Sequence, residues 1–272
     1  DPNTNNQSWD GEIAEFIYYN RRLTNSERES VEDYLSEKYD TPIRKITPAT
    51  GGANISADDA NTAFTSLTGP IIQESFVGEL SAGGTIILTA PAGFEWNTSA
   101  SYGLIVGPAY GGTTSLAASF TSVNANAITY TVSTASSSNP GQIEFTGLEI
   151  RPTTGTLPNS GNITNTGTTA LGGSTNYGSI TMVPGAQDSL IIIQQPTTTN
   201  IDSAITPSVR VQIADQFGNS IEQSGVNVNV ALASGTGSLS GTTPQATNVL
   251  GIAEFTDLSI DQLGTKTLEA TS

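Results

Sequence analysis

Val226-Asn227-Val228-Asn229-Val230-Ala231-Leu232 places its three valines and its leucine at alternate positions. Successive side chains of a β-strand point to opposite faces of a sheet, so this spacing predicts a strand with one apolar face. Val209-Arg210-Val211-Gln212-Ile213 has the same period, and a continuous apolar run from Leu190 to Ile193 precedes Pro196. Turn residues separate these runs. Residues 186–272 are therefore predicted to form a β-sandwich.

The same organisation extends back to about residue 43. Apolar runs recur at 85–89, 103–106, 127–132 and 142–150, with Gly, Pro and Asn between them. Hydrophobic residues make up 36% of the chain and charged residues 12%, and this apolar content favours a packed core over disorder. Residues 43–185 are predicted to form a larger sandwich module, and the predicted fold class is all-β.

The N-terminal segment has a different composition, because six of the nine basic residues lie before residue 46. Residues 12–19 are rich in β-branched and aromatic side chains and predict a strand. Thr24 and Glu27 match the capping box that begins a helix, which is predicted to continue to about Tyr39. One strand and one helix cannot form an independent core. Residues 1–42 are therefore predicted to be the end of another domain.

The composition excludes several kinds of function. The chain has 272 residues, no His and no Cys, which excludes His-based nucleophile systems, thiolate-ligated metals and disulfides. Its net charge of −16 argues against nucleic-acid binding, which needs clustered Lys and Arg. No run approaches the roughly 20 apolar residues of a membrane helix, and the start of the chain does not match a signal peptide. We expect a chain that is not an enzyme.

A resemblance to a known family is carried by Trp9-Asp10-Gly11-Glu12-Ile13-Ala14-Glu15-Phe16-Ile17-Tyr18-Tyr19, by the Arg21-Arg22-Leu23 turn, and by Tyr34-Leu35 with Lys38-Tyr39. Residues 9–39 resemble the C-terminal end of LamG-like, concanavalin A-type jelly-roll domains, which finish with such a strand, turn and helix. The resemblance implies that 1–42 is a fragment of that domain. The carbohydrate and calcium sites of the family lie mostly on strands outside this match, so none is carried over.

A second resemblance covers nearly all of residues 186–272. Its motifs are P-x-V-x-V-x-x-x-D-x-x-G-N at 207–219, G-x-L-x-G-T at 237–242 and G-x-A-x-F-x-x-L-x-I at 251–260. They resemble bacterial Ig-like repeats, which belong to long secreted adhesins, including the type IX-secreted adhesins of gliding bacteria. Residues 90–96 resemble a corner of bacterial surface-protein sandwich modules.

These resemblances imply a structural stalk segment of a large bacterial cell-surface adhesin, extracellular in location, that extends and presents binding domains. The expected partners are other domains of the same long chain and surface polysaccharide or glycans. The main alternative is an accessory carbohydrate-binding and spacer region of a secreted polysaccharide-degrading enzyme. A third possibility is a subunit that polymerises by strand exchange, for which 190–194 should be an unpaired strand.

Calcium is the one cofactor that the sequence suggests. Asp215 and Asn219, with Asp202 or Asp257 nearby, could supply oxygen ligands, and the Asp58-Asp59 pair could hold an ion at an interdomain joint. Asp and Asn next to Gly are also the usual residues of turns. Both interpretations of these residues are open at this stage.

Three other features each have a functional and a structural interpretation. Trp96 could be a stacking platform for a ligand, although a lone Trp beside Phe94 is more often a buried plug, and we expect it to be buried. Asp10, Glu12 and Glu15 are similar to the acidic strand of jelly-roll glucanases, but a regular strand places Glu15 on the opposite face from the other two. Lys266 raises the question of an intramolecular isopeptide bond, which some Gram-positive pilin domains form. Those families place the Lys on the first strand, and the first strand here has no Lys, which argues against such a bond.

Overall fold

The computed structural model describes residues 15–23, 27, 31, 34, 35, 38, 39, 46–74, 76–109, 111–169 and 176–272. The chain divides into two compact units, Asp1–Arg44 and Lys45–Ser272. In the first unit the described residues between 27 and 39 are helical, in agreement with the predicted helix: Glu27, Val31, Tyr34, Leu35, Lys38 and Tyr39. Thr24, the predicted cap, lies outside the described residues.

The predicted strand at 12–19 is wrong for the part that the structure describes. Residues 15–19 belong to no strand, and the side chains of Phe16 and Tyr18 are 82% and 77% exposed. A strand needs a neighbour to pair its backbone groups, and no described residue of the unit supplies one. The alternation of apolar residues therefore does not become a sheet here.

Glu15 joins this segment to the helix. Its Oε2 accepts hydrogen bonds from Lys38 Nζ and the Tyr39 hydroxyl, both at 3.1 Å, and its Oε1 accepts one from the Tyr34 hydroxyl at 3.2 Å. The bond from Lys38 is the main reason why the pKa of Glu15 is lowered. Glu15 thus has a structural role. Asp10 and Glu12, the other two acidic residues of the glucanase comparison, lie outside the described residues.

The second unit is nearly all β, which confirms the predicted fold class. Its strands are β1 (Ile46–Thr47), β2 (Ile55–Ser56), β3 (Thr65–Leu67), β4 (Ile71–Gln73), β5 (Thr85–Thr89), β6 (Phe94–Trp96), β7 (Gly103–Pro108), β8 (Ala117–Val123), β9 (Ala127–Thr134), β10 (Gly141–Thr146), β11 (Leu148–Pro152), β12 (Ser160–Asn162), β13 (Thr164–Asn165), β14 (Ser179–Val183), β15 (Ser189–Gln194), β16 (Val209–Ala214), β17 (Asn227–Ser234), β18 (Leu239–Ser240), β19 (Gln245–Ala246), β20 (Ile252–Phe255), β21 (Ser259–Ile260) and β22 (Thr267–Thr271). A 3-10 helix, Ala57–Asp59, follows β2.

Residues 46–183, called module 1 below, contain four small sheets. Their strand orders are β1-β4-β10-β7, β3-β11-β6, β12-β14-β2 and β13-β5-β9-β8, and every pairing except β14 with β2 is antiparallel. Alternate residues of these strands point into one apolar core. The largest fully buried side chains of this core are aromatic: Trp96, Tyr130, Phe145 and Tyr177.

Residues 189–272, called module 2 below, have a separate core. The sheet β15-β16-β20 faces the sheet β19-β17-β22, and β18 pairs with β21. The valines predicted to share one face of β17 do so, because Val228 and Val230 are both buried. β15 pairs with β16 from Ser189 to Gln194, so the unpaired first strand expected for strand exchange is not observed.

Candidate functional site

A polar cluster around a buried carboxylate lies between the two modules, in the loop that follows β16. Asp215 Oδ1 accepts hydrogen bonds from the backbone N–H groups of Phe217 and Asn219, both at 2.9 Å. The Gly218 N–H donates to the Asp215 carbonyl oxygen at 3.1 Å, and Gly218 has a φ of +81°. Glycine adopts this left-handed conformation without strain, so the sequence Asp-Gln-Phe-Gly-Asn favours this tight loop.

The second carboxylate oxygen of Asp215 accepts a hydrogen bond from the segment that connects β14 of module 1 to β15 of module 2. Asp215 Oδ2 accepts a hydrogen bond from the Gly185 N–H at 2.9 Å and one from Asn219 Nδ2 at 2.7 Å. The Asp215 side chain is 0% exposed. A buried carboxylate needs such donors, because burial without them costs several kcal/mol. Four N–H groups therefore satisfy this charge.

Asn219 reaches across to module 1. Its Nδ2 donates to the Gly155 carbonyl oxygen at 2.6 Å, and its Oδ1 accepts from the Leu157 N–H at 2.9 Å. Gly155 and Leu157 lie in the loop that follows β11 of module 1. The Asn219 amide thus bonds one carbonyl oxygen and one N–H group of that loop. These two bonds fix the orientation of the loop relative to Asn219 as well as its distance.

Asp58 makes a second link from the side of module 1. Its Oδ2 accepts from the Ala186 N–H at 2.7 Å, and its Oδ1 accepts from Gln216 Nε2 at 2.9 Å. The 3-10 helix places Asp58 there, and the Ser56 side chain caps this helix by accepting from the Asp58 N–H. We call the set Asp58, Gly155, Leu157, Gly185, Ala186, Asp215, Gln216, Phe217 and Asn219 the joint.

Close packing accompanies these bonds. A β-carbon added at Gly155 would overlap the Phe217 ring, and one added at Gly185 would overlap the Asp58 carboxylate. Both glycines are thus needed for close approach. The joint combines apolar contact with hydrogen bonds, and this arrangement resists rotation of one module against the other.

Burial raises the pKa of the Asp215 carboxyl, but hydrogen bonds from the Asn219 side chain and from the backbone N–H groups of Gly185, Asn219 and Phe217 outweigh it, so the pKa lies below the usual 3.8. A lowered folded-state pKa means that the ionised group stabilises the fold above the unfolded pKa. This contribution is lost as the pH falls through the folded-state value.

We therefore expect the melting temperature of the second unit to fall when the pH drops below 3.8, partly through Asp215. Asp215→Asn should be less stable at neutral pH and should lose less of its remaining stability on acidification. Circular dichroism melts of both proteins across this pH range measure the difference. Asp257, whose pKa the Thr242 side chain and N–H lower, contributes equally to both proteins. Parallel acid curves would contradict the assignment.

The residues of module 2 that are predicted to bind calcium lie in different loops. The Asp215 carboxylate and the Asn219 amide oxygen accept N–H groups, whereas a calcium site requires six to eight oxygen ligands around the ion. Asp202 lies in another loop, where its N–H donates to the Ile260 carbonyl oxygen, and Asp257 accepts from Thr242. Within the described residues, no group of three or more acidic side chains is assembled around one point. Calcium binding stays a prediction.

Trp96 is buried, as expected from the sequence. It is 1% exposed, and its Nε1 donates to the Leu88 carbonyl oxygen at 3.1 Å. A ring without an exposed face cannot stack on a ligand in this conformation, so we do not propose Trp96 as a binding residue. A ligand groove would need a second exposed aromatic side chain near Trp96, but Tyr102 is also buried, and Tyr110 lies outside the described residues. Lys266 Nζ donates to the Leu263 carbonyl oxygen.

The sequence pointed to part of the joint but not to its chemistry. The sequence predicts cation ligands at Asp215, Asn219 and Asp58, and it suggests that the Asp58-Asp59 pair could hold an ion at an interdomain joint. The structure places Asp58 in the joint as an acceptor of N–H groups. Gly155 and Gly185 were missed. Their signal was weak, because a glycine that allows close approach looks like any other turn glycine before its neighbour is known.

Comparison with known proteins adds no further constraint. No family model, no curated protein and no solved structure matches the chain. Of the helical residues that the structure describes, none belongs to a helix long and apolar enough to cross a membrane.

Proposed function

We propose that the chain is a structural stalk segment of a large bacterial cell-surface adhesin, which extends and presents binding domains outside the cell. In this proposal, residues 1–42 are the end of a LamG-like jelly roll, and residues 43–185 and 186–272 are Ig-like sandwich modules. The partners are other domains of the same long chain and surface glycans. The resemblances in the sequence and the sandwich-like fold support this proposal.

The observation that carries the proposal is the joint. A stalk must hold successive modules at a fixed angle, because flexible linkers would let the presented domain fall back toward the surface. Here the connection between β14 and β15 donates its N–H groups to Asp58 and Asp215, one from each module. A flexible linker would leave those groups to water.

The surface charge supports the same function. A net charge of −16 makes neighbouring copies repel at long range, although salt screens the effect beyond about 8 Å at physiological ionic strength. Low Lys content leaves few positive groups to bridge the chains. We expect stalks with this composition to stay soluble and to approach one another only where short-range contacts outweigh the long-range repulsion.

The test is the width of the distance distribution between two spin labels, one in each module. The chain has no cysteine, so Ser122→Cys in module 1 and Asn229→Cys in module 2 provide the only thiols. We expect a single narrow distribution by pulsed electron paramagnetic resonance. Asn219→Ala, which removes the bonds to Gly155 and Leu157, should broaden it.

Asn200→Ala is the matched control, since Asn200 is an exposed amide of module 2 outside the joint. It should leave the distribution unchanged. A broad distribution in the unmodified joint would contradict a stalk. Sedimentation of the chain with insoluble cellulose, chitin or xylan would favour the accessory carbohydrate-binding alternative, and we expect none.

A further inference from the structure

Module 2 has two free sheet edges on the same side. No strand within the described residues pairs with the outer edge of β15 or with that of β22. Gln187 Nε2 donates to Ser272 Oγ at 3.0 Å, so the start of β15 lies next to the end of β22. The two edges therefore border one side of the sandwich, and the strands run in opposite directions along it.

The core is incompletely covered on that side. The central strands β16 and β17 bury most of their inward-facing side chains, but those of the two edge strands stay partly exposed: Leu190, Ile192, Leu268 and Ala270. On the outer face of β15, Ile191 and Ile193 are 37% and 47% exposed. Another pair of strands beside the two edges would cover the inward-facing groups and would lie next to the two outer isoleucines.

The two edges carry little of the usual protection against pairing. Free edges are normally blocked by Lys, by Pro or by strong distortion. β15 contains no charged residue and no Pro, and β22 contains only Glu269. The one irregularity of β15 lies between Ile192 and Gln194, at the end of the strand, so the preceding residues keep a regular edge.

We propose that this side of module 2 binds a second copy of the chain. A twofold axis parallel to the strands brings β15 of each copy beside β22 of the other. Since β15 and β22 run in opposite directions and such an axis preserves direction, both new pairs are antiparallel. Two continuous six-stranded sheets result, and the partly exposed inward-facing residues of both copies become buried.

Charge selects this pairing over the alternative twofold arrangement. Pairing β22 with β22 would bring Glu269 close to its own copy, and like charges opposed on a sheet are destabilising. β15 is uncharged, so pairing it with β22 avoids that contact. Residues 186–272 carry eight acidic and two basic residues, so the two copies of module 2 repel each other at long range. Salt should therefore strengthen association.

Cross-linking distinguishes the arrangements in the full chain, which has no cysteine of its own. We expect Ile191→Cys mixed with Glu269→Cys to form a disulfide-linked heterodimer under mild oxidation. Each variant alone should form much less. Efficient self-linking of Ile191→Cys, a variant that keeps Glu269, would show that like edges pair, which overturns the proposal.

Sedimentation velocity measures the association itself. We expect a monomer–dimer equilibrium whose association constant rises on the order of tenfold from low to physiological salt. Ile191→Lys should weaken it on the order of tenfold by blocking the edge. Val249→Lys makes the same charge change at an exposed turn residue and should not weaken it. A chain that stays monomeric at high concentration and high salt overturns the proposal, and so does equal behaviour of the two Lys variants.

Discussion

We expect Asp215→Ala to lower the free energy of unfolding of the second unit by about 3 kcal/mol, because buried N–H groups would lose a charged acceptor. The carboxylate accepts four N–H groups, three from the backbone and one from Asn219. Alanine offers no acceptor to these N–H groups, and the Asp215 site is closed to bulk water that could replace every bond. Urea unfolding followed by circular dichroism measures the loss.

The same substitution should also change how the unit unfolds. Gly185 would lose its bond to module 2, so the two modules would be coupled less tightly. We expect amide exchange to rise at Gly185 and Asn219 before it rises in β16. Asp188→Ala is the control, because Asp188 is an exposed acidic residue of the same connection. A loss in Asp215→Ala no larger than that of Asp188→Ala would contradict the role given to the joint.

The regular strands were predictable because burial on one face imposes a period of two. β9 and β17 show this well, since alternate residues of each are buried in separate cores. Phe76-Val77 is a short apolar run without that alternation, so it does not indicate which face of a strand is buried. Phe76 and Val77 lie in a turn and are exposed. The buried carboxylate of Glu74 accepts hydrogen bonds from the Leu80 and Gly141 N–H groups in this region, and this contact is not visible in the local sequence.

The joint was not predictable from local sequence, because the donors that link the modules come from distant parts of the chain. Asp215 and Asn219 receive N–H groups from Gly185 and Leu157, which lie 30 and 62 residues away. An acidic loop beside glycine is equally consistent with a cation site and with a carboxylate that accepts backbone N–H groups. Only the three-dimensional position of those groups distinguishes the two.

Trp96 is a second residue whose contacts could be predicted only in part from the sequence. Its place beside Phe94 favoured burial, but the sequence could not show what the indole contacts. In the structure, β6 pairs with β11 so that Trp96 opposes Ile150, and the Trp96 N–H donates to the Ala125 carbonyl oxygen. Both the ring and its polar nitrogen are satisfied inside module 1.

Trp96→Ala should therefore destabilise the second unit by about 4 kcal/mol, as expected for removal of a large aromatic side chain from a packed core. Trp96→Phe keeps most of the apolar volume and loses the hydrogen bond to Leu88, so its cost should be smaller, on the order of 1–2 kcal/mol. Urea unfolding of the three proteins gives both differences. The milder variant keeps the test informative if the alanine variant does not fold.

A fluorescence measurement separates a buried plug from a ligand platform. The chain has two Trp residues, so Trp9→Phe leaves Trp96 as the only indole. We expect blue-shifted emission that iodide barely quenches and that soluble glycans do not change, because the ring is closed off by the core. Red-shifted, readily quenched emission, or a shift on adding glycans, would return Trp96 to the surface and favour a carbohydrate-binding module over a stalk.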